Sequence, residues 1–117
     1  MPNMPMDVSR SIFITTGADF DQWLTENAVT ERDVVLAIHN KRSGKQTVSL
    51  VALQEVALCH GWVDTRTRRI DDERYAIRFV PRRPHSVWGA KNRQMARRLL
   101  AEGRIREAGL ATLPGDI

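Results

Sequence analysis

The stretch SLVALQEVALCHGWVDTRT, residues 49–67, decides the fold because it joins a helix to a strand across one glycine. Ser49 is a residue type that caps helix N-termini, and the almost wholly apolar residues after it predict a central buried helix. Gly61 is placed to end that helix in the left-handed conformation, which glycine adopts at low cost. Residues 62–67 then alternate in character, as a β-strand does.

A second strand follows and predicts a hairpin. Residues 75–80 alternate more clearly, with the large aromatic and aliphatic side chains on one face and Arg78 on the other. The intervening residues 68–74 are charged, as is typical of a loop between two paired strands. Pro81 should end the second strand because proline cannot donate a hydrogen bond to a neighbouring strand.

The N-terminal half predicts a strand, a helix and a second strand. Residues 11–15 are β-branched and aromatic, which favours a short strand. Asp19, with Gln22 three residues later, fits a capping box for a helix that ends near Asn27. The apolar run Val34–His39 has the length of a strand buried on both faces, and polar turn residues follow it.

The C-terminal half adds a third helix. Ser86 is predicted as its N-cap, and Gly103 ends it after about fifteen residues. Residues 106–113 indicate one further short helical turn.

Together these elements predict an α+β fold in the order β-α-β-α-β-β-α. We expect a small mixed or antiparallel sheet of about four strands with about three helices packed on it. Residues 1–10 are predicted as a loose N-terminal segment, and residues 11–117 as a single domain, since 117 residues suit one core.

The composition argues against several classes of protein. No stretch has the roughly 20 apolar residues of a membrane span, so we expect no membrane insertion. Cys59 is the only cysteine, which excludes an intrachain disulfide and agrees with a cytoplasmic location. The three histidines show no ligand spacing, and no cofactor motif is present, so neither a metal nor a cofactor is predicted.

The positive charge is concentrated in the second half of the chain. Residues 1–63 carry a net charge of −2 and residues 64–117 a net charge of +6. Such a field attracts anionic partners, whether a phosphate-bearing molecule, an acidic protein or a nucleic acid. The alternative is an ordinary solvated basic surface.

The strongest candidate for a binding site lies before the third helix. Arg82 and Arg83 directly precede it, Ser86 stands at its predicted start, and Arg78 on the preceding strand can project towards them. Helix N-termini and arginines are ordinary components of anion sites. Alternatively, these arginines form a solvated loop or pair with the acidic residues 71–73.

Four other residues join the list of candidates. Trp88 and Asn92 share the apolar face of the third helix, where Asn92 either bonds to loop backbone or lines a pocket with Trp88. Trp62 and Asp64 point to one side of their strand and fit a ligand contact, although Asp64 equally fits an arginine partner.

The adjacent residues Cys59 and His60 do not fit a nucleophile and its base. Neighbouring helical side chains point about 100° apart, so a hydrogen bond between them is excluded. Cys59 is interpreted as a core residue, and His60 as a residue that can interact with the last carbonyls of its helix.

Two ordered motifs resemble a known family. They are Gly-Trp-x-Asp at residues 61–64 and Arg-Phe-x-Pro-Arg-Arg at residues 78–83. Because the two motifs occur in this order, and because further residues match over about 11–113, the chain resembles the YdeI/OmpD-associated family, also called bacteriocin-protection proteins. The motif residues that carry over are Gly61, Trp62, Asp64, Arg78, Pro81, Arg82, Arg83, Trp88 and Asn92.

The resemblance implies a bacterial cytosolic protein without an established reaction. Its members are linked by name to bacteriocin protection and to an outer-membrane porin, so a stress-protection role is implied rather than a chemistry. The catalytic residues, the ligand and the oligomeric state are not indicated by the sequence.

Three functions therefore stay open. The first is a non-enzymatic binding or stress-protection domain that holds an anion at the third-helix N-terminus. The second is a small enzyme of unknown reaction, with Asp64, Trp62, Asn92 and His60 in one cleft. The third is nucleic-acid binding through the basic half, helped by a mainly outward stripe of cations on the third helix, Lys91, Arg93, Arg97 and Arg98.

Overall fold

Four strands form one mixed sheet in the computed structural model, which describes residues 6–117. The strands are β1 (Ile12–Phe13), β2 (Val34–His39), β3 (Trp62–Arg69) and β4 (Arg74–Pro81). Their order across the sheet is β1-β2-β4-β3. β1 lies parallel to β2, whereas β4 is antiparallel to both of its neighbours, so the predicted mixed sheet and hairpin are confirmed.

Three main helices and one short helix complete the predicted α+β fold. They are α1 (Gly17–Asn27), α2 (Leu50–Cys59), α3 (Ala90–Ala101) and α4 (Glu107–Leu110). Among the described residues, no helix has both the length and the apolar content needed to cross a bilayer.

One face of the sheet packs against α1 and α2. Leu36 of β2 and Phe79 of β4 lie in the same buried cluster as Phe20 of α1 and Leu53 of α2. The Phe20 and Phe79 rings are 4.8 Å apart between centroids. The predicted segregation of large side chains to one face of β4 is therefore confirmed.

The turn between α2 and β3 has the predicted chemistry. The Ser49 hydroxyl accepts a hydrogen bond from the Ala52 N–H at 3.1 Å, and Gly61 has a φ of 80°. A Cβ atom at Gly61 would lie 2.8 Å from the Ala108 carbonyl oxygen. Glycine is needed here both for its backbone conformation and for the close approach of α4.

A second buried cluster joins α3 to the end of α2. Leu58 and Cys59 of α2 pack with Trp88, and with Met95 and Leu99 of α3. The interpretation of Cys59 as a core residue is confirmed, and burial raises the pKa of its thiol.

The opposite face of the sheet is partly covered by the N-terminal segment. Met6 is buried against Val35 of β2 and Ala76 of β4. Val8–Arg10 forms a 3₁₀ turn, and Arg10 forms an ion pair with Asp33. Of the segment predicted as loose, residues 1–5 lie outside the described residues, whereas residues 6–10 make these contacts.

Two of the three predicted helix starts need correction, whereas the start at Ser49 is confirmed. α1 is capped by Thr16, three residues before the predicted cap, and Asp19 is the reciprocal partner within the capping box. α3 begins after Gly89, without a side-chain cap, rather than after Ser86. The reason is that Ser86 closes a turn, in which its N–H donates to the Arg83 carbonyl at 3.2 Å.

Candidate anion-binding site

Residues 82–86 form a short ridge after β4, here called the arginine ridge. The Arg82 N–H donates to the Gly61 carbonyl at 2.8 Å, which ties the ridge to the α2–β3 turn. In the turn that Ser86 closes, Pro84 takes the second position and His85 the third, with a φ of 60°. Proline followed by a left-handed residue is typical of a type II turn.

Arg82 is half-buried and lies on an aromatic ring. Its guanidinium carbon is 3.8 Å from the centroid of the Trp88 ring, and its Nη1 donates to the Ser86 hydroxyl at 3.5 Å. Its buried Nε has no hydrogen-bond partner among residues 6–117. Burial lowers the pKa of Arg82, and the charge of Asp64 opposes that shift.

These contacts leave the positive charge of Arg82 without an ion-pair partner in the described chain. A partly desolvated cation is stabilised when an anion approaches it, because its own solvation has already been reduced. The ring of Trp88 meanwhile fixes the plane of the guanidinium group. Arg82 is therefore a partly desolvated cation that is held on Trp88 and forms no ion pair within the described residues.

A groove opens on the sheet side of the ridge, with a volume of about 650 Å³. We call it the sheet groove. Beyond the ridge residues, its walls come from the chain before β2 and from the β3–β4 hairpin: Arg32, Val63, Thr65, Arg78, Val80 and Pro81. The antiparallel pairing of Val34 with Phe79 explains this composition, because it places the start of β2 beside the end of β4.

A second groove of about 700 Å³ lies on the other side of the ridge. We call it the tail groove, since the C-terminal residues 111–115 form its far wall. Val87, Trp88 and Arg93 complete the lining. Arg93 donates to the Trp88 carbonyl at 3.4 Å and pairs with the exposed Asp116 at 2.6 Å.

The two grooves share one electrostatic property. Neither is lined by an aspartate or a glutamate, whereas arginines line both. Arg32, Arg82 and Arg83 form no ion pair within the described residues, and Arg32 and Arg83 are exposed. The ridge and its grooves therefore form a concave positive surface that is only partly neutralised internally, through the pairs of Arg78 with Asp33 and of Arg93 with Asp116.

The same segment lies inside a recognised sequence family. A family model described as a domain of unknown function (DUF8412) matches residues 12–112. The chain belongs to this family. No curated protein and no solved structure matches this DUF8412 domain, so the resemblance to the YdeI/OmpD-associated family stays a prediction.

The DUF8412 domain brings together five of the eight predicted site residues. Arg78, Arg82, Arg83 and Ser86 line the sheet groove. The last three also line the tail groove, where Trp88 joins them. Arg78 differs from the ridge arginines because its Nε donates to Asp33 at 3.1 Å, and Asp33 also binds Arg10. These two arginines lower the pKa of the Asp33 carboxyl, Arg10 more than Arg78.

The other three predicted residues lie elsewhere. Trp62 is only 3% exposed and packs edge-on against the Trp23 ring within the core. The Asp64 carboxylate accepts hydrogen bonds from Gln54 on α2 and forms no ion pair within the described residues, although its charge partly offsets the lowering of the Arg82 pKa by burial. Asn92 lies on α3 outside the lining of both grooves. Arg93, rather than Asn92, lines the tail groove with Trp88.

The alternative pairing of the site arginines with residues 71–73 is not observed. Asp71 pairs with Arg74, Asp72 with Arg69, and Glu73 with Lys45. Together with Phe13 and His39, Lys45 and residues 71–74 line a separate cleft at the other end of β2, here called the acidic-turn cleft.

The residues proposed for an enzyme cleft contact different neighbours. His60 is buried, and its Nε2 lies 2.7 Å from the Asp21 carboxylate rather than at the last carbonyls of α2. Hydrogen bonding to His60, followed by the charge of Arg106, lowers the pKa of Asp21. Asp64 faces Gln54, and Asn92 belongs to α3, so the three polar groups form no single constellation.

Two arginines of the grooves, Arg32 and Arg93, are not among the predicted site residues. Arg32 directly precedes β2, and the strand pairing that carries it to the end of β4 is not encoded locally. Arg93 was assigned to an outward cationic stripe, but it lines the tail groove. Within residues 6–117, no group of three or more His, Cys, Asp and Glu side chains is arranged to hold a metal.

Proposed function

We propose that this domain is a non-enzymatic binding module that holds an anionic, phosphate-bearing ligand at the arginine ridge. The observation that carries the proposal is Arg82, a half-buried guanidinium that lies on Trp88 and forms no direct ion pair within residues 6–117. Arg83 follows it on the same ridge, and arginine binds phosphate through parallel, charge-assisted hydrogen bonds.

The grooves support a binding role rather than an exposed basic patch. They offer concave space on both sides of the ridge, and their lining contains no carboxylate that would repel an anion. Protection against bacteriocins or antimicrobial peptides, which the family resemblance implies, is compatible with such a module and belongs to the same proposal.

The proposed anion site differs from the one expected at the sequence level. The N-terminus of α3 begins after Gly89, and residues 90–92 line neither groove. The positive end of a helix is therefore not part of the proposal. Arginine side chains and the backbone geometry of the ridge carry it instead.

The test is a double substitution, Arg82→Ala with Arg83→Ala, titrated with inorganic tripolyphosphate at low salt. Isothermal titration calorimetry measures the affinity, because a Trp88 fluorescence signal would depend on the contact with Arg82 that the substitution removes. Removing two charge-assisted hydrogen-bonding partners should weaken binding by about one to two orders of magnitude. Raising the salt concentration should remove most of the difference, since exposed charges are screened.

The matched control is Lys41→Ala with Arg42→Ala, which removes two adjacent exposed cations from the turn after β2. It lowers the net charge equally, so a general charge effect would weaken both double variants alike. Equal binding by all three proteins, or an equal loss in both variants, overturns the proposal. Arg83→Ala alone, at an exposed position, guards against a folding defect caused by the loss of Arg82 from Trp88.

A further inference from the structure

The arginines of the two grooves follow one another along an extended path. Arg32 and Arg78 lie in the sheet groove, the ridge arginines lie between the grooves, and Arg93 lies in the tail groove. Arg97 continues the path because it is exposed and lies one helical turn beyond Arg93 on α3. Arg78 and Arg93 already form ion pairs with Asp33 and Asp116. A single phosphate group reaches only one part of the path, whereas a chain with several phosphates can contact Arg32, the ridge arginines and Arg97 together.

Apolar side chains alternate with these cations. Val63, Val80 and Pro81 line the sheet groove, and Val87, Trp88 and Leu113 line the tail groove. Val87 is 94% exposed, although burial of an apolar side chain is favourable. A ligand that covers Val87 must offer an apolar surface beside its charge, and inorganic polyphosphate offers none.

We propose that the ligand of the ridge is single-stranded nucleic acid, an inference that rests on the proposed function. Phosphates contact Arg82 and Arg83, while unpaired bases enter the grooves on either side. Guanidinium planes and apolar walls accept bases of any sequence because each base has a flat apolar face. In a duplex the bases are paired and stacked inside the helix, so they cannot enter the grooves.

The experiment compares fluorescein-labelled octathymidylate with unlabelled tripolyphosphate at the same salt concentration. If bases contribute, the oligonucleotide binds the wild-type protein at least about tenfold more tightly than tripolyphosphate does, and also more tightly than an abasic octamer with the same number of phosphates. The double substitution at the ridge should also make octathymidylate binding less dependent on salt. The slope of log K against log salt concentration should become shallower by about 0.7 for each phosphate that the ridge no longer neutralises.

The decisive variant is Val87→Ser, which keeps every arginine and changes an exposed side chain. We expect it to weaken octathymidylate binding roughly threefold, less than an aromatic stacking residue would, and to leave tripolyphosphate binding unchanged. Val29→Ser is the matched control because Val29 is 89% exposed and lines neither groove. It should change neither affinity.

The outcomes separate this inference from the proposed function. If tripolyphosphate binds at the ridge but octathymidylate binds no better, the nucleic-acid inference fails and the anion site stands. The inference also fails if polyglutamate or a duplex of equal length displaces the probe as well as unlabelled octathymidylate does. If no anion binds in an Arg82-dependent manner, both proposals fail.

Discussion

The two ends of the sheet use the same kinds of charged side chain in opposite ways. Every charged residue that lines the acidic-turn cleft has an oppositely charged partner within the fold: Lys45, Asp71, Asp72, Glu73 and Arg74. At the arginine ridge, Arg82 and Arg83 have none among the described residues. Charges that a fold pairs internally contribute to its own structure, whereas unpaired cations in an acid-free groove are open to an external anion.

The variant with the largest expected effect is Gly109→Ala. It should displace the C-terminal wall of the tail groove and leave the acidic-turn cleft intact. A Cβ atom at Gly109 would lie 2.4 Å from the Cys59 carbonyl oxygen, so Gly109→Ala forces α4 away from α2. That shift also breaks the hydrogen bond from the Arg106 N–H to the same carbonyl. We expect a loss of about 3 kcal/mol in the free energy of unfolding, the upper end for forcing a methyl group into a packed contact.

Urea unfolding measures that loss, and tripolyphosphate titration under native conditions measures its effect on the tail groove. Gly115→Ala is the control because nothing lies within 4 Å of a Cβ atom at Gly115. Wild-type stability in Gly109→Ala would contradict the close contact between α4 and α2.

Local patterns were sufficient to predict most of the fold. The cap at Ser49, the left-handed Gly61 and the apolar run Val34–His39 each depend on a few neighbouring residues. The hairpin follows from alternation and an intervening polar segment in the same way. Such features are fixed by short-range physical chemistry, which the order of residues displays directly.

The site was less predictable because it depends on which faces meet. Alternation places Trp62 and Asp64 on one side of β3, but only the packed helices show that this is the core side. Ser86 has the residue type of an N-cap, but its N–H bonds to the Arg83 carbonyl in the turn of the ridge, and α3 begins only after Gly89. Arg32 reaches the sheet groove through strand pairing across more than forty residues of sequence.

The second prediction concerns a substitution that gives Arg82 an internal counter-ion, as the charged residues of the acidic-turn cleft already have. The Ser86 hydroxyl lies 3.5 Å from Nη1 of Arg82, so Ser86→Asp places a carboxylate beside that guanidinium. Tripolyphosphate and octathymidylate should then bind about tenfold more weakly, because the anion must displace an ion pair. Ser86→Asn, of nearly equal size and without charge, should bind close to the wild-type level.

Titration of both variants distinguishes charge pairing from a change of shape. Equal affinities for Ser86→Asp and Ser86→Asn would mean that the charge state of Arg82 does not control the site. An unchanged thermal midpoint in both variants confirms that the comparison is made between folded proteins.

The smallest expected effect concerns the acidic-turn cleft and its response to pH. The Asp71 carboxylate accepts hydrogen bonds from the Arg74 side chain and from the backbone N–H groups of Glu73 and Arg74. The Arg74 side chain contributes most to lowering the pKa of Asp71 from 3.8 to about 2. A depressed pKa means that the ionised carboxylate stabilises the fold above pH 3.8, and that this contribution disappears as the pH falls through about 2.

Asp71→Asn should therefore be less stable than wild type near neutral pH, and the two proteins should converge in denaturant unfolding as the pH approaches 2. Asp72→Asn removes the same charge from the exposed pair with Arg69, and a smaller effect is expected because exposed pairs contribute little. Neither variant should weaken anion binding, since neither residue lines the grooves beside the ridge. A loss of binding in Asp71→Asn would show that the two ends of the sheet are coupled, and the division between internally paired and externally available charges would no longer hold.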